Sequence, residues 1–470
     1  MRRYGDDDPI AAKASGGGAL ALIRISGRAS IALLSRVFSR PRKLLDAPGN
    51  TVVYGWIVDP AEAHASRPAE AAEARRVDEV LVSVYRAPKS YTGEDGADIS
   101  CHGGEASVRA VLETLKKAGF SGALAGEFSF RAFMNGKLDL TRAESVMELV
   151  SAKTGAAAER ALCRLSGILE KELHGIREKL LESLSASELY LDYPEDEIDG
   201  GADGDFPGRE AAEQALGRLE ALAASYRRER LYREGALAAI AGRPNAGKSS
   251  LFNALLREDR SIVAEIPGTT RDWIEASVSV EGIPLRLVDT AGLRDDITNP
   301  VERIGVSRSR EILETADIVV YVIDGTAGIT GEDNAFLRGP HGEKSIPVWN
   351  KADAAPVKET ARPGEKKITA VSAKTAAGLD GLCAVIAGSL RGSPASPDDS
   401  PGLGSERQKD LVDGAAASLR EAISLADRKE PLELTAPLLR EALDAVGEIT
   451  GEVSTADILR AMFSRFCVGK

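Results

Sequence analysis

Apolar runs of six to eight residues dominate the first part of the chain, and a helical period takes over further on. Residues 19–25 (ALALIRI) read as a buried strand that Ser26-Gly27 breaks. Thr51–Val58 and Asp78–Tyr85 read as two more strands. Between them, Ala61–Arg76 is an Ala/Glu-rich insertion expected as an exposed loop or short helix. Ser107–Ala118 places Val108, Val111, Leu112 and Leu115 on one helical face, so a mixed α/β domain is expected here.

From Leu140 to about Asp192 the pattern is helical, with Leu162, Leu165, Ile168, Leu169, Leu173 and Ile176 as one amphipathic stripe. The acidic, glycine-rich run Asp192–Phe206 should interrupt it as a loop, and Arg209–Tyr232 resumes as a helix. Ala236–Ala241, Leu285–Val288, Ile318–Ile323 and Ile346–Trp349 are apolar strand candidates. Ser393–Ser405, rich in proline, serine and glycine, reads as a linker, with helical pattern from Glu406 onward. The expected fold class is multidomain α/β plus all-α. An N-terminal α/β domain covers 1–137, and a discontinuous helical domain is formed from 138–235 and 393–470. A further domain, 236–392, is inserted between the two helical segments.

Composition adds limits. With 470 residues, 43% hydrophobic and 28% charged, the chain is a soluble type of about three domains. Four separated cysteines without a CxxC pair, and four histidines, argue against a zinc site or disulfide framework and fit a reducing, cytoplasmic setting. No apolar run reaches the roughly 18 residues of a membrane span. The net charge of −12 is uneven: residues 1–137 carry 19 basic against 16 acidic groups, whereas 138–235 carry 13 against 21. An acidic chain is a poor non-specific nucleic-acid coat, but its first domain is mildly basic.

The inserted domain carries the chemistry. Gly242-Arg-Pro-Asn-Ala-Gly247-Lys248-Ser249 joins a strand to a helix, the arrangement that cradles phosphates with backbone N–H groups and a helix N-terminus. Lys248 is expected at the β/γ-phosphates and Ser249 on Mg²⁺. In Gly268-Thr269-Thr270-Arg271-Asp272, Thr270 can complete the Mg²⁺ shell. In Asp289-Thr290-Ala291-Gly292, the carboxylate can hold Mg²⁺ through water and the Gly292 N–H can meet the γ-phosphate. Asn350-Lys351-Ala352-Asp353 presents a carboxylate to the two N–H donors of guanine, and Ser372-Ala373-Lys374 offers backbone to its oxygen. The motifs therefore specify GTP with Mg²⁺ and not ATP. Leu293 stands where a Ras-type enzyme has its water-orienting glutamine, and leucine cannot orient water.

Further residues resemble the MnmE (TrmE) family of tRNA modification GTPases across nearly the whole chain. They are Ile23-Arg24-Ile25-Ser26-Gly27, Ala87–Asp95, Cys101-His102-Gly103-Gly104, Gly126–Leu140 and the terminal Phe466-Cys467-Val468-Gly469-Lys470. The resemblance implies a Ras-like P-loop GTPase domain and an N-terminal folate-binding domain through which the chain forms a homodimer. It implies a GTP-binding set of Asn245, Ala246, Gly247, Lys248, Ser249 and Ser250, then Ala264, Glu265, Ile266, Pro267, Gly268, Thr269 and Thr270, together with the later motifs. It implies K⁺ on Asn245, Ala264, Ile266 and Thr269, and Glu302 as the water-orienting group that Leu293 cannot be. A 5-formyl- or methylene-tetrahydrofolate would meet Arg24, Glu94, Lys137 and Lys470. An FAD-bearing partner of the MnmG (GidA) type would join it in a hetero-oligomer that modifies C5 of the wobble uridine of tRNA. Ala14-Ser15-Gly16-Gly17-Gly18 lacks the proline and arginine usual in the family at this loop, so folate geometry is expected to differ.

Two readings stand for Cys467: a catalytic thiol beside the one-carbon donor, or a small buried residue holding the tail. The other cysteines are expected as packing residues, and His102 is a candidate base without a partner in the sequence. Arg227–Arg233 is a solvated helix face before it is a tRNA contact. The competing function is a ribosome-assembly or regulatory GTPase with no modification activity. It shares the nucleotide motifs but not the folate-domain signatures or the Cys-x-Gly-Lys tail.

Overall fold

The computed structural model describes residues 4, 7–15, 18–59, 75–192, 206–257, 275–289, 311–357, 366–392 and 402–469. The chain divides into two compact units, Met1–Met147 with Arg440–Lys470, and Glu148–Leu439.

The first unit is built on a six-stranded sheet of order β3-β4-β5-β2-β1-β6. Its strands are β1 (Ile10–Lys13), β2 (Leu20–Ser26), β3 (Thr51–Val58), β4 (Arg76–Tyr85), β5 (Gly96–His102) and β6 (Ser121–Gly122). Alternation is strict on β4: Val80, Val82 and Val84 are buried while Leu81 is 49% exposed. The buried face meets α1 (Ser30–Ser35), α2 (Pro41–Leu45) and α3 (Glu105–Ala118) through Ile31, Leu34, Leu44, Val111 and Leu115. The other face carries Leu20, Val52, Tyr54 and Leu81 exposed. α3 ends at Gly119, whose φ of 111° is open to glycine and closed to most side chains. The family-like stretch after Gly126 folds as α4 (Glu127–Met134) and α5 (Leu140–Ser151). A late helix of the chain, Ala456–Phe463, returns to α4. There Phe463, wholly buried, lies 5.5 Å edge-on from Phe130 and 5.0 Å from Phe466.

The second unit opens with α6 (Gly155–Leu165), α7 (Ile168–Asp192) and α8 (Arg209–Glu234). The expected stripe does not run unbroken. α6 stops at Ser166-Gly167 and the helical phase resets, leaving Leu162 56% and Ile168 42% exposed; Leu169, Leu173, Ile176 and Leu180 form the buried face. α8 follows, then the nucleotide-domain sheet of order β12-β11-β10-β7-β9-β8. These strands are β7 (Ala236–Gly242), β8 (Glu275–Val280), β9 (Ile283–Asp289), β10 (Ile318–Asp324), β11 (Ser345–Asn350) and β12 (Thr369–Ala370). Its central pairs are parallel and only β8–β9 is antiparallel, so the interior strands are apolar on both faces. Helices α9 (Lys248–Arg257), α10 (Gly331–Arg338) and α11 (Leu379–Arg391) accompany it. α12 (Glu406–Asp427) then packs on α8; Ala212, Ala215 and Leu219 of α8 and Ala415, Ala416 and Leu419 of α12 are buried.

Within this unit α6 is tied to the β8–β9 turn. The Thr154 hydroxyl donates to the Gly282 carbonyl at 2.7 Å, and a Cβ on Gly282 would stand 2.6 Å from that of Ala156. A buried ionic group reinforces the same corner: Arg164 reaches Glu229 at 2.7 Å, and Arg160 reaches Glu229 at 2.6 Å while lying over the Tyr232 ring at 4.3 Å. No helix among the described residues is long and apolar enough to cross a membrane.

Replacing Phe463 by alanine should remove the ring that joins the last helix to α4 and cost about 3–5 kcal/mol. Urea unfolding of the full chain, followed through signals of the first unit, measures this. A loss under about 1 kcal/mol would show that the last helix does not depend on that ring.

Candidate functional site

The nucleotide-domain motifs meet at the C-terminal edge of the parallel sheet, where open α/β sheets bind their ligands. β7 delivers Gly242, φ 144°, whose missing side chain lets the loop pass 2.3 Å (as a Cβ distance) from the Val322 carbonyl. Gly247, φ 90°, comes so close to Asn350 that a Cβ would stand 2.2 Å from its Nδ2. Lys248 and Ser249 then open α9. Lys248 is buried, and its Nζ donates to the Arg243 carbonyl at 2.9 Å. The Ser249 hydroxyl donates to Asp289 Oδ2 at 2.7 Å, and Asp289 is the last residue of β9. A hydroxyl and a carboxylate side by side form a hard oxygen set that suits Mg²⁺.

On the opposite side, β11 ends at Asn350, which is buried. Its Nδ2 donates to the Ala246 carbonyl at 3.0 Å, and its Oδ1 accepts from the Ala373 N–H at 3.1 Å. Lys351, φ 62°, donates to the Asn245 carbonyl at 3.0 Å and to Asp324 at 2.7 Å. Burial works to raise the Asp324 pKa, but the donors Lys351 and Thr326 outweigh it and bring it down to about 2. Ser372 donates to Asp353 Oδ1 at 2.7 Å, and this bond holds the carboxyl below its ordinary range. Asp353 is therefore an anion that can only accept, as two guanine N–H donors require.

Gly247, Ser250, Asn253, Ala254, Asn350, Lys351, Asp353, Ala354, Ala373, Lys374 and Ala376 line one cleft of about 720 Å³. Of the sequence-expected residues, Ala246 lies wholly buried beneath the loop and Ala352 packs on the core, so each can offer only its backbone. Asn245 is exposed with φ 62°. Ala264, Glu265, Ile266, Pro267, Gly268, Thr269, Thr270, Thr290, Ala291, Gly292 and Glu302 lie outside the described residues, as does Lys470. Asn253, Ala254, Ala354 and Ala376 were not expected. Asn253 sits one helical turn after Ser249, a spacing that would have found it.

In the first unit, Arg24, Glu94 and Lys137 gather around residues 88–95 between β4 and β5. Arg24 holds Asp98 through two bonds of 2.9 and 3.2 Å and lies 5.9 Å from the Tyr91 ring centre. Its Nη1 also reaches the Gly469 carbonyl at 3.4 Å, so the tail passes beside it. Glu94 accepts from Ser26 at 2.8 Å and from Arg131 at 3.1 Å. Lys137 donates to the Pro88 carbonyl at 3.1 Å. Tyr91 and Arg131 lie in stretches that resemble the family but, like Asp98, were not expected as site residues; the partners Glu94 of Arg131 and Arg24 of Asp98 are remote in the chain.

The tail pairs back on the chain, Val468 bridging Ala125, but Cys467 is exposed, which removes the buried-packing reading of that thiol. Cys101 is buried, and burial pushes its thiol up to about 11. His102 bonds Asp78 at 2.6 Å, which raises its pKa and favours a held proton over a free base. In the run Arg227–Arg233, Arg230 pairs with Glu234 at 2.7 Å, as does Arg233.

A mostly parallel sheet with a glycine loop opening a helix and an Asn-Lys-x-Asp corner defines the class as a P-loop GTPase. The chain also matches the family model of the GTP-binding protein TrmE N-terminus over residues 9–137, and that of the MnmE helical domain over 140–467. It is 41% identical to the tRNA modification GTPase MnmE of Treponema denticola, covering 100% of this chain and 99% of that one. It is 39% identical to MnmE of Carboxydothermus hydrogenoformans, covering 99% and 100%. Among solved structures, Aquifex aeolicus Era Y63A bound to GDP.AlF4- aligns with 39% of this chain and 66% of its own at 26% identity and TM-score 0.27. The chain belongs to the MnmE family of tRNA modification GTPases.

Gly247→Ala should force Asn350 off the Ala246 carbonyl. Titration with a fluorescent GDP is expected to show affinity reduced at least about tenfold. Unchanged affinity would mean that the Gly247–Asn350 approach does not shape the cleft.

Proposed function

We propose that this chain is a K⁺-activated GTPase acting in the cytoplasm as a homodimer. With an FAD-bearing MnmG-type partner it adds a carboxymethylaminomethyl-type group to C5 of the wobble uridine of certain tRNAs. A tetrahydrofolate derivative supplies the one-carbon unit. The observation that carries the reading is the convergence of Arg24, Glu94 and Lys137 on one loop in a unit separate from the nucleotide cleft. A regulatory GTPase has no use for that cluster.

The roles follow from the chemistry of each group. Asp353 accepts the two guanine N–H donors, and Ala373 and Lys374 supply backbone for the base oxygen. Lys248 turns its ammonium from the Arg243 carbonyl to the β/γ-phosphates, where it offsets charge developing during transfer. Ser249 and Thr270 would hold Mg²⁺, which neutralises phosphate charge when bound. Asn245, exposed at the loop tip, would hold K⁺ with Ala264, Ile266 and Thr269, and Glu302 would orient the attacking water. In the other unit, Glu94, kept in place by Ser26 and Arg131, suits the pterin N–H donors. Arg24, Lys137 and Lys470 suit the folate carboxylates or a formyl oxygen.

Dimerisation through the N-terminal domain is supported by the exposed sheet face. Register aligns Tyr54, Leu81, Ser100 and Leu22 across β3, β4, β5 and β2. Arg24 and Asp98 form part of the neighbouring row on the same face, so folate would lie beside the joined surfaces.

GTP turnover is expected to be at least about tenfold faster in K⁺ than in Na⁺, and Glu302→Ala to lower it about a hundredfold. Equal rates in the two salts would remove the K⁺ role, and an unaffected variant would remove Glu302. Leu81→Glu should turn a dimer into a monomer by sedimentation, and persistence of the dimer would place the interface elsewhere. Wobble uridines that stay fully modified in cells lacking the chain would refute the tRNA role.

A further inference from the structure

The P-loop residue Arg243 is engaged in a way that none of the nucleotide-binding roles requires. Its side chain turns away from the cleft and runs beneath the loop. Nε donates to Asp333 Oδ1 at 3.1 Å, and Nη2 donates to the Gly328 carbonyl at 3.2 Å. Asp333 is fully buried on α10, ninety residues away in sequence. A buried carboxylate must be compensated by donors, and this one has a full set. The Thr330 N–H and hydroxyl each reach Oδ2 at 2.8 Å, and the Tyr321 hydroxyl reaches Oδ1 at 3.1 Å beside the guanidinium. Thr330 and Asp333 also form the capping box that starts α10, so the carboxylate's position is fixed by the helix itself. Tyr321 is braced in turn by Phe336, its ring centre 4.4 Å away and nearly parallel.

The main chain of Arg243 faces the other way. Its carbonyl accepts both from Lys248 Nζ at 2.9 Å and from the Ala246 N–H at 3.3 Å. One residue thus joins a rigid anchor below the loop to the carbonyl that orders the phosphate-binding lysine above it. The far side of the loop is held independently, by Asn350 and Lys351 on the Ala246 and Asn245 carbonyls. Without the Asp333 anchor, the Arg243 side chain would keep only its weaker neutral bond to the Gly328 carbonyl among the described residues, and the Lys248 ammonium would lose its fixed starting point. We infer that Arg243 and Asp333 are positioning residues for the GTPase: their ion pair pre-forms the phosphate loop and pre-orders Lys248, and so sets nucleotide affinity.

Because the pair touches neither phosphate nor attacking water, its loss should weaken GDP and GTP alike and spare the chemical step. Arg243→Ala and Asp333→Asn in the full chain should each raise the Kd of fluorescent GDP and GTP, and the KM for GTP, by roughly tenfold. The kcat at saturating GTP, with Mg²⁺ and K⁺ present, should stay within about threefold. The double variant should be no weaker than the worse single variant by more than about twofold, since both changes break one interaction. Arg243→Lys should recover part of the affinity, because an ammonium can pair with Asp333 but cannot also fork to Gly328. Ile386→Ala, which removes a wholly buried side chain of α11 in the same unit and touches no member of the network, should lower the Tm with Kd within about twofold. That outcome separates positioning from general destabilisation. Native-like affinity in Arg243→Ala and Asp333→Asn would overturn the inference. So would effects that multiply in the double variant, or a fall in kcat at unchanged Kd. If Arg243→Ala does not fold, Arg243→Lys with Asp333→Asn forms the same cycle and is judged by the same outcomes.

Discussion

A single side chain amide, that of Asn350, joins three loops that come from three different strands. One end donates to the phosphate loop at Ala246 and the other accepts from the loop at Ala373. Asn350 itself ends β11 and begins the corner that presents Asp353. It is buried, so both of its polar ends must be satisfied, and only one relative placement of the loops satisfies them. Gly247 is glycine for the same reason: the amide lies where its Cβ would be. The glycine loop and the corner that presents Asp353 are thus joined into one cleft by a buried, neutral hydrogen-bonded group.

Charge is used around that linchpin, to stiffen what it aligns. Lys351 ties Asp324 to the Asn245 carbonyl on one side, and Arg243 ties Asp333 to the start of the loop on the other. The supports Asp324 and Asp333 sit on β10 and α10, outside the residues that line the cleft. In the same unit, α6 is fastened to the β8–β9 turn through Thr154 and Gly282, and β9 leads from that turn to Asp289 beside Ser249. The helices and the Asp289 carboxylate are therefore two ends of one short, hydrogen-bonded path.

Much of the nucleotide site was legible in the sequence, because phosphate and guanine impose narrow demands on backbone and donor pattern. Gly242, Gly247, Lys248, Ser249, Asp289, Asn350 and Asp353 could each be read from a short local motif. The strands ending at those motifs were legible too, as apolar runs that stop at a polar residue. The supports were not: no local pattern marks Arg243 or Asp333 as partners, and their meeting depends on the sheet bringing β7 and β10 together. Glu94 was expected at folate, but that Ser26 and Arg131 hold its carboxylate could not be read, because both are remote in the chain. The helical stripe failed at Ser166-Gly167, since a helix end resets the phase that periodicity assumes to be continuous. Cys467 was open to two readings because exposure at a chain end follows from packing partners and not from local pattern.

Asn350 is the joint of the nucleotide site, and equilibrium binding of fluorescent GDP to Asn350→Ala against the native chain tests this most directly. Loss of both amide bonds should weaken binding about a hundredfold. It should also narrow the preference for GDP over ADP, because Asp353 and the Ala373 loop would no longer be held in register with the phosphate loop. Native-like affinity with undiminished preference for guanine would contradict the account.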